Sequence, residues 1–180
     1  VCLGSVRAGN VIGGGDWSQD RLIPDALHAF DRNKPVAIRN PLALRPWQHV
    51  LEPISGYLML AENLYLNGED FAEAWNFGPK DECVKSVGEV MDYLVTLWPA
   101  DVSWMSDSSD QPYEANLLKL DISKAKMRLK WKPAWDLKTA LQSIIEWHQS
   151  WLNGEDMRSV TLGQINNYEN TLKDMINGNN

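Results

Sequence analysis

Apolar side chains recur at helical spacing in four stretches of the chain and at strand spacing in several short ones. Leu22, Ile23, Ala26, Leu27 and Phe30 fall on one face of a helix expected over 21–32. Pro24 suits its first turn, where a missing N–H costs least. A second helix, 53–66, opens with Pro53 and carries Ile54, Tyr57, Leu58, Ala61, Leu64 and Tyr65 as a stripe. Asn67-Gly68 closes it with residues that tolerate a left-handed cap. Ser86 and Glu89 form a capping box for a third helix running to about Leu97, which Pro99 stops. Leu141, Ile144, Ile145 and Trp151 mark the inner face of a fourth over 137–152. A short helix from Ser123 to Leu129 and a fainter one over 160–176 complete the helical pattern.

Between these lie strand-like pieces. Residues 2–7 read as a short buried strand, and Lys34 to Ile38, Trp47 to Val50, Ala74 to Phe77 and Val102 to Met105 as others. Leu118 and Leu120 alternate with Lys119 and Asp121. Gly13-Gly14-Gly15-Asp16 interrupts the pattern with a loop whose backbone can approach a ligand closely. Short strands alternating with helices predict an α/β fold of mixed layers, and that pattern alone identifies no function.

Composition narrows the picture mainly by exclusion. The 180 residues suffice for one domain with a sizeable core. No run of 18 apolar residues occurs, so no membrane-spanning helix is expected. A net charge of −7 argues against nucleic acid as a partner, because phosphate contacts need clustered Lys and Arg. Cys2 and Cys83 give neither a metal-ligand spacing nor a disulfide framework; both are expected to be buried, in a reducing cytoplasm. The first seven residues have no basic leader, and they start in mid-strand without Met, so a segment upstream is expected. Of the nine tryptophans, Trp98, Trp131, Trp147 and Trp151 read as core, whereas Trp17 and Trp47 stand in polar, loop-like surroundings.

Few residues remain as candidates for chemistry. Asn10 ends a predicted strand, where α/β sheets place ligand groups; it either meets a ligand or caps its own turn. Arg21 starts a helix whose dipole disfavours a cation, so it either shares a bound phosphate or pairs with Asp16 or Asp20. Arg45 presents a planar fork suited to phosphate, and Arg39 lies six residues earlier. The two guanidiniums either converge on one anion or are simply solvated. His28, His49 and His148 show no metal spacing, and His28 and His148 are expected to be partly exposed mid-helix residues. No glycine-rich phosphate fingerprint occurs, and none of the five tyrosines has a Lys four residues later.

The ordered set Arg7-Ala8-Gly9-Asn10-Val11-Ile12-Gly13, Asp20-Arg21-Leu22-Ile23-Pro24, Leu44-Arg45-Pro46-Trp47-Gln48-His49-Val50, Trp75-Asn76-Phe77-Gly78-Pro79 and Lys119-Leu120-Asp121-Ile122-Ser123-Lys124-Ala125 resembles the extended short-chain dehydrogenase/reductases. Within that superfamily the wording is most similar to the CDP-glucose 4,6-dehydratases, through Gly13 to Trp17, Arg45 to His49 and Tyr113 to Asp121. The resemblance implies the last strands of a Rossmann-type parallel sheet plus a small mixed α/β substrate-binding domain over 1–150, followed by a helical tail over 151–180. It implies a nucleotide-sugar substrate, NAD held mainly by an upstream part, and a cytoplasmic homodimer in the full-length protein. Substrate contacts would come from Asn10, Arg21, Arg39, Arg45, Asn76 and Glu114, with Arg7 and Asn10 beside the cofactor. The acid/base Tyr-x-x-x-Lys pair of that family has no counterpart in this sequence, so no catalytic residue is assigned and the chain alone is expected to be inactive. A dehydratase or 4-epimerase for another nucleotide sugar, and a non-catalytic nucleotide-sugar-binding module, are the competing readings.

Overall fold

The computed structural model describes residues 2–107 and 118–178. Seven short strands and five helices alternate along it: β1 (Ser5–Ala8), β2 (Asn10–Ile12), α1 (Leu22–Phe30), β3 (Val36–Ile38), β4 (Leu44–His49), α2 (Leu51–Asn67), β5 (Ala74–Phe77), β6 (Val84–Ser86), α3 (Val87–Leu97), β7 (Trp104–Ser106), α4 (Leu137–Leu152) and α5 (Met157–Asn177). The strands form three small sheets. β1 and β5 pair in parallel, with Arg7 opposite Asn76. β4 lies between β2, parallel to it, and β6, antiparallel. β3 and β7 form a third, parallel pair.

The helices follow their apolar faces. Ile23, Ala26, Leu27 and Phe30 of α1, Val90, Met91 and Leu94 of α3, and Leu141, Ile144 and Ile145 of α4 meet in one core with Ile12, Val36, Ile38 and Trp47. A second core gathers Leu60 of α2, Trp75 and Phe77 of β5, and Ile122, Ala125, Leu129 and Trp131. Gly56 permits this second packing, since a Cβ there would lie 2.2 Å from the Phe77 ring. Ser86 and Glu89 make the expected capping box on α3, and Asp136 caps α4 by accepting the Thr139 N–H.

Several expectations are corrected. β1 is exposed along most of its length rather than buried, and Cys2 is exposed too, because among the described residues β1 pairs on one side only, with β5. The stripe expected on α2 splits: Tyr57 and Leu64 pack on the second core, but Ile54, Leu58 and Tyr65 face solvent, Tyr65 at 88% exposure, and Leu60, outside the expected stripe, is buried there. Trp151, expected inward, is 43% exposed, and His148, expected to be partly exposed, is buried against Asp31. Trp47 is buried rather than loop-like, because β4 is a central strand and the Lys85 carbonyl accepts its indole N–H at 3.0 Å. The segment 125–129 winds as a π-helical turn rather than an α-helix. Among the described residues no helix is long and apolar enough to cross a membrane, and no group of three or more His, Cys, Asp or Glu could hold a metal ion.

The last helix attaches differently from the others. Tyr168 is the buried residue of α5. Its hydroxyl donates to the buried Glu52 carboxylate at 2.8 Å. Trp147 donates to Thr161, Gln164 to the Ser143 carbonyl, and Trp135 to Thr171. Polar contacts to α4 and to the 131–135 segment therefore seat this helix.

Candidate functional site

A cleft of about 680 Å³ opens where β2, the loop after it, the start of α1, the end of β3 and the face of β4 converge. Parallel pairing places Asn10 beside Trp47 and Ile12 beside His49, so the end of β2 and the middle of β4 form its floor. The loop then turns back over the cleft. Gly14 lies flat on the Trp147 indole: a Cβ there would sit 2.3 Å from its Cγ. Trp17 stacks on His28 at 5.8 Å between ring centroids and meets Trp151 at 4.6 Å. The glycine run thus serves loop-to-helix contact on α4, and the loop it fixes delivers Asp16, Asp20 and Arg21 to the cleft.

The walls carry three arginines, Arg21, Arg39 and Arg45, and three carboxylates, Asp16, Asp20 and Asp25, with Asn10 and Asn40. Formal charges cancel, so the field in the cleft is set by local pairing. Arg45 is buried at 7% exposure, and its Nη1 donates to the Leu44 carbonyl at 2.9 Å. The reading of Arg45 as a solvated surface cation is therefore excluded. A buried guanidinium with its flat fork at a cleft wall is matched to a planar or tetrahedral oxyanion. Arg21 precedes α1 and pairs with Asp16 at 3.6 Å, while Arg39 pairs with Asp20 at 3.4 Å. Asp16 is itself anchored, accepting the Ser18 N–H at 3.0 Å. Burial, and after it the neighbouring Asp20, push the Asp25 carboxyl above its ordinary value.

Four of the residues singled out in sequence, Asn10, Arg21, Arg39 and Arg45, therefore line one cleft. Arg7 and Asn76 do not. They sit opposite each other on β1 and β5, and Asn76 donates to the Asp121 carbonyl at 3.1 Å. Glu114 lies outside the described residues. Sequence reasoning did not find Trp47 or Asp25 as lining residues. Trp47 followed the Arg45 position by two, the alternation of one strand face, and that was the available signal. The sequence offers Asp20 as a partner of Arg21, whereas in space it serves Arg39.

Behind β4 is a buried polar cluster. His49 is 2% exposed and packs on Trp135 at 4.9 Å, and burial draws its pKa down to about 4. Its Nδ1 accepts the Leu51 N–H. Glu52, 1% exposed, accepts from the backbone N–H groups of Ala134 and Trp135 and from Tyr168. Burial raises its pKa despite those donors. The cluster lines no part of the cleft; it fixes the strand that bears Arg45 against the 131–135 segment and α5.

No protein-family model matches the chain. A CDP-glucose 4,6-dehydratase of Salmonella typhimurium is 55% identical to it over 168 residues, 93% of this chain and 47% of that protein. The chain thus spans about half the length of the curated relative it matches. Among solved structures, UDP-glucuronic acid 4-epimerase from Bacillus cereus, in complex with UDP-glucuronic acid and NAD, superposes with a TM-score of 0.69 at 20% identity, over 81% of this chain and 45% of its own. The dTDP-glucose 4,6-dehydratase from Bacillus anthracis, in complex with NAD, gives 0.63 at 20% identity, over 82% and 44%. UDP-glucose 4-epimerase from Thermotoga maritima, with UDP-glucose, gives 0.64 at 19% identity, over 83% and 46%. In sequence the chain is a relative of a CDP-glucose 4,6-dehydratase along almost its whole length, and its fold is that of the matching part of these nucleotide-sugar 4-epimerases and 4,6-dehydratase.

Proposed function

We propose that this chain is the substrate-gripping part of a nucleotide-sugar 4,6-dehydratase that converts CDP-glucose to CDP-4-keto-6-deoxyglucose with loss of water. The observation that carries this is the convergence of Asn10, Arg21, Arg39 and Arg45 on one cleft, in a chain 55% identical to a CDP-glucose 4,6-dehydratase. Arg45, buried and pre-oriented on its strand, grips the diphosphate through its fork. Arg21 and Arg39 line the same cleft, and Asn10 offers both a donor and an acceptor to the same ligand. Trp47 gives the floor an apolar surface. Glu114, and Asn76 on β5 beyond the cleft, are the residues this reading adds on the nucleotide side.

NAD supplies the hydride chemistry of such a reaction when bound. The residues of this chain do not hold it alone: the sequence has no glycine-rich dinucleotide fingerprint, and the polar cleft on the described residues is the one assigned to the substrate. In this reading an upstream part binds the cofactor, Arg7 and Asn10 border it, and the whole protein is a cytoplasmic homodimer. Residues 1–150 then form the substrate-binding unit, and 151–180 the helical tail that braces it. In this reading the chain binds and orients, and the Tyr-x-x-x-Lys pair that exchanges a proton with the sugar hydroxyl in the resembled family has no counterpart in its sequence.

Titration calorimetry of the chain with CDP-glucose, UDP-glucose and dTDP-glucose tests the reading. CDP-glucose is expected to bind best, Arg45→Ala to weaken it at least tenfold, and no sugar to be turned over in the presence of NAD. Equal binding of the three would remove the cytidine assignment. Failure of all three to bind would overturn the substrate-gripping role, and turnover by the chain alone would refute its dependence on another part.

A further inference from the structure

Two arginines of the cleft are held by carboxylates of the same cleft, and the two carboxylates are not equivalent. Asp16 sits in a turn, with one oxygen on the Ser18 N–H and the other on Arg21, and its side chain is 28% exposed. The Asp20 side chain is 83% exposed and pairs across the cleft with Arg39. Its backbone stands at φ +60°, a left-handed conformation that few residues other than Gly, Asn and Asp adopt readily. That conformation, fixed between the anchored 13–17 loop and the first turn of α1, carries the carboxylate toward Arg39 at the end of β3. Asp25 lies one turn further on; it accepts a bond from the Asp20 backbone and feels the Asp20 carboxylate as a repelling neighbour and Arg39 as an attracting one. Asp20 is therefore opposed by a like charge on one side and held by Arg39 on the other.

We propose that Asp20 is an exchangeable counter-ion, competing with the diphosphate of the ligand for Arg39 and so setting how strongly the cleft takes anionic ligands. This rests on the reading of the cleft as a nucleotide-sugar site. Asp16 plays a different part, since its turn bond keeps it on Arg21 whether or not an anion arrives. On binding, Arg39 exchanges Asp20 for phosphate oxygens, and Asp20 turns to solvent, which its exposure allows at little cost. A cleft whose formal charges cancel thereby admits a diphosphate strongly and a singly charged ligand weakly, because only the former outcompetes a carboxylate for a guanidinium.

Asp20→Asn tests this with little change of shape, because Asn tolerates the same left-handed backbone. CDP-glucose and inorganic pyrophosphate are titrated into the chain and the variant at low salt and at about 0.5 M salt. Release of an exposed ion pair predicts Kd values about two- to fivefold lower in the variant at low salt. The gain should shrink at high salt, where exposed charges are screened. Asp16→Ala serves as the comparison and should tighten binding less, because it also removes the acceptor of the Ser18 N–H and so loosens the turn. If CDP-glucose binds the parent and Asp20→Asn leaves Kd unchanged or raises it, the counter-ion role is wrong while the substrate reading stands. If pyrophosphate tightens on Asp20→Asn but CDP-glucose binds neither protein, the counter-ion role holds and the substrate reading fails. If neither ligand binds either protein, both are overturned.

Discussion

Replacing Tyr168 with Phe removes one oxygen from the polar cluster behind β4 and leaves almost everything else in place. Phe keeps the ring, and with it the edge-on contact to Trp135 at 5.2 Å between centroids. The lost hydroxyl lies 2.8 Å from Glu52 and 3.1 Å from Ser55, whose Oγ accepts the Trp131 indole N–H. Tyr168 is 3% exposed and Glu52 1%, so water does not readily take the vacated place. A buried hydrogen bond to a charged group contributes about 1.5–3 kcal/mol. Glu52 retains the Ala134 and Trp135 amides, which places the expected loss near the middle of that range, about 2 kcal/mol. For a chain of this length that corresponds to a Tm lower by about 4–8 °C. Differential scanning calorimetry measures the shift, and urea unfolding at constant m-value separates loss of stability from a change in compactness. Deleting α5 altogether should cost more, since the bonds to Thr161, Gln164 and Thr171 go with it. A Phe variant within about 0.5 kcal/mol of the parent would show that α5 rests loosely on the core and that the Glu52 cluster does not seat it.

Three further outcomes follow from the same geometry. Gly14→Ala should destabilise the loop and weaken binding of nucleotide sugars together, because its Cβ would fall 2.3 Å from the Trp147 ring; thermal melts and calorimetric titration check both, and binding unchanged from the parent would unlink the loop from the cleft. His49 has its pKa drawn by burial to about 4 from an ordinary 6.5, so its contribution to stability is present above pH 6.5 and is lost as pH falls toward 4. His49→Asn, which keeps an acceptor near the Nδ1 position, should flatten urea stability curves across that window. Glu52 works in the opposite sense. Its pKa is raised by burial, so what it contributes is present below its ordinary value and is lost as pH rises through the folded value. Glu52→Gln, neutral and still able to accept the two amides, should therefore cost less at pH 7 than Tyr168→Phe. A larger loss would mean that the carboxylate charge itself is stabilising.

How much of this was legible in the sequence depended on what holds each element. α1, α3 and α4 bury apolar faces, and their periodicity gave them away to within a residue or two. The arginines of the cleft could be suspected one at a time, from a cation before a helix or a fork on a strand. Their convergence could not be read, because it arises where β2, β3 and β4, distant in sequence, bring Asn10, Arg39 and Arg45 to one cleft. α2 misled for the converse reason: its stripe is apolar on both flanks, and sequence alone does not say which flank finds a partner within the described residues. α5 shows the most general reason. The residues that seat it, Thr161, Gln164, Tyr168 and Thr171, recur at intervals of three, four and three, the spacing of one helix face. They do so with hydroxyl and amide groups in place of methyls. The partners are equally cryptic, since two are indole N–H groups, of Trp135 and of Trp147, the latter a residue that reads in sequence as core. A helix attached through its hydrogen-bonding capacity leaves a polar stripe at helical period, and a search for apolar periodicity passes over it, which is why the tail read as a faint helix with nothing to rest on.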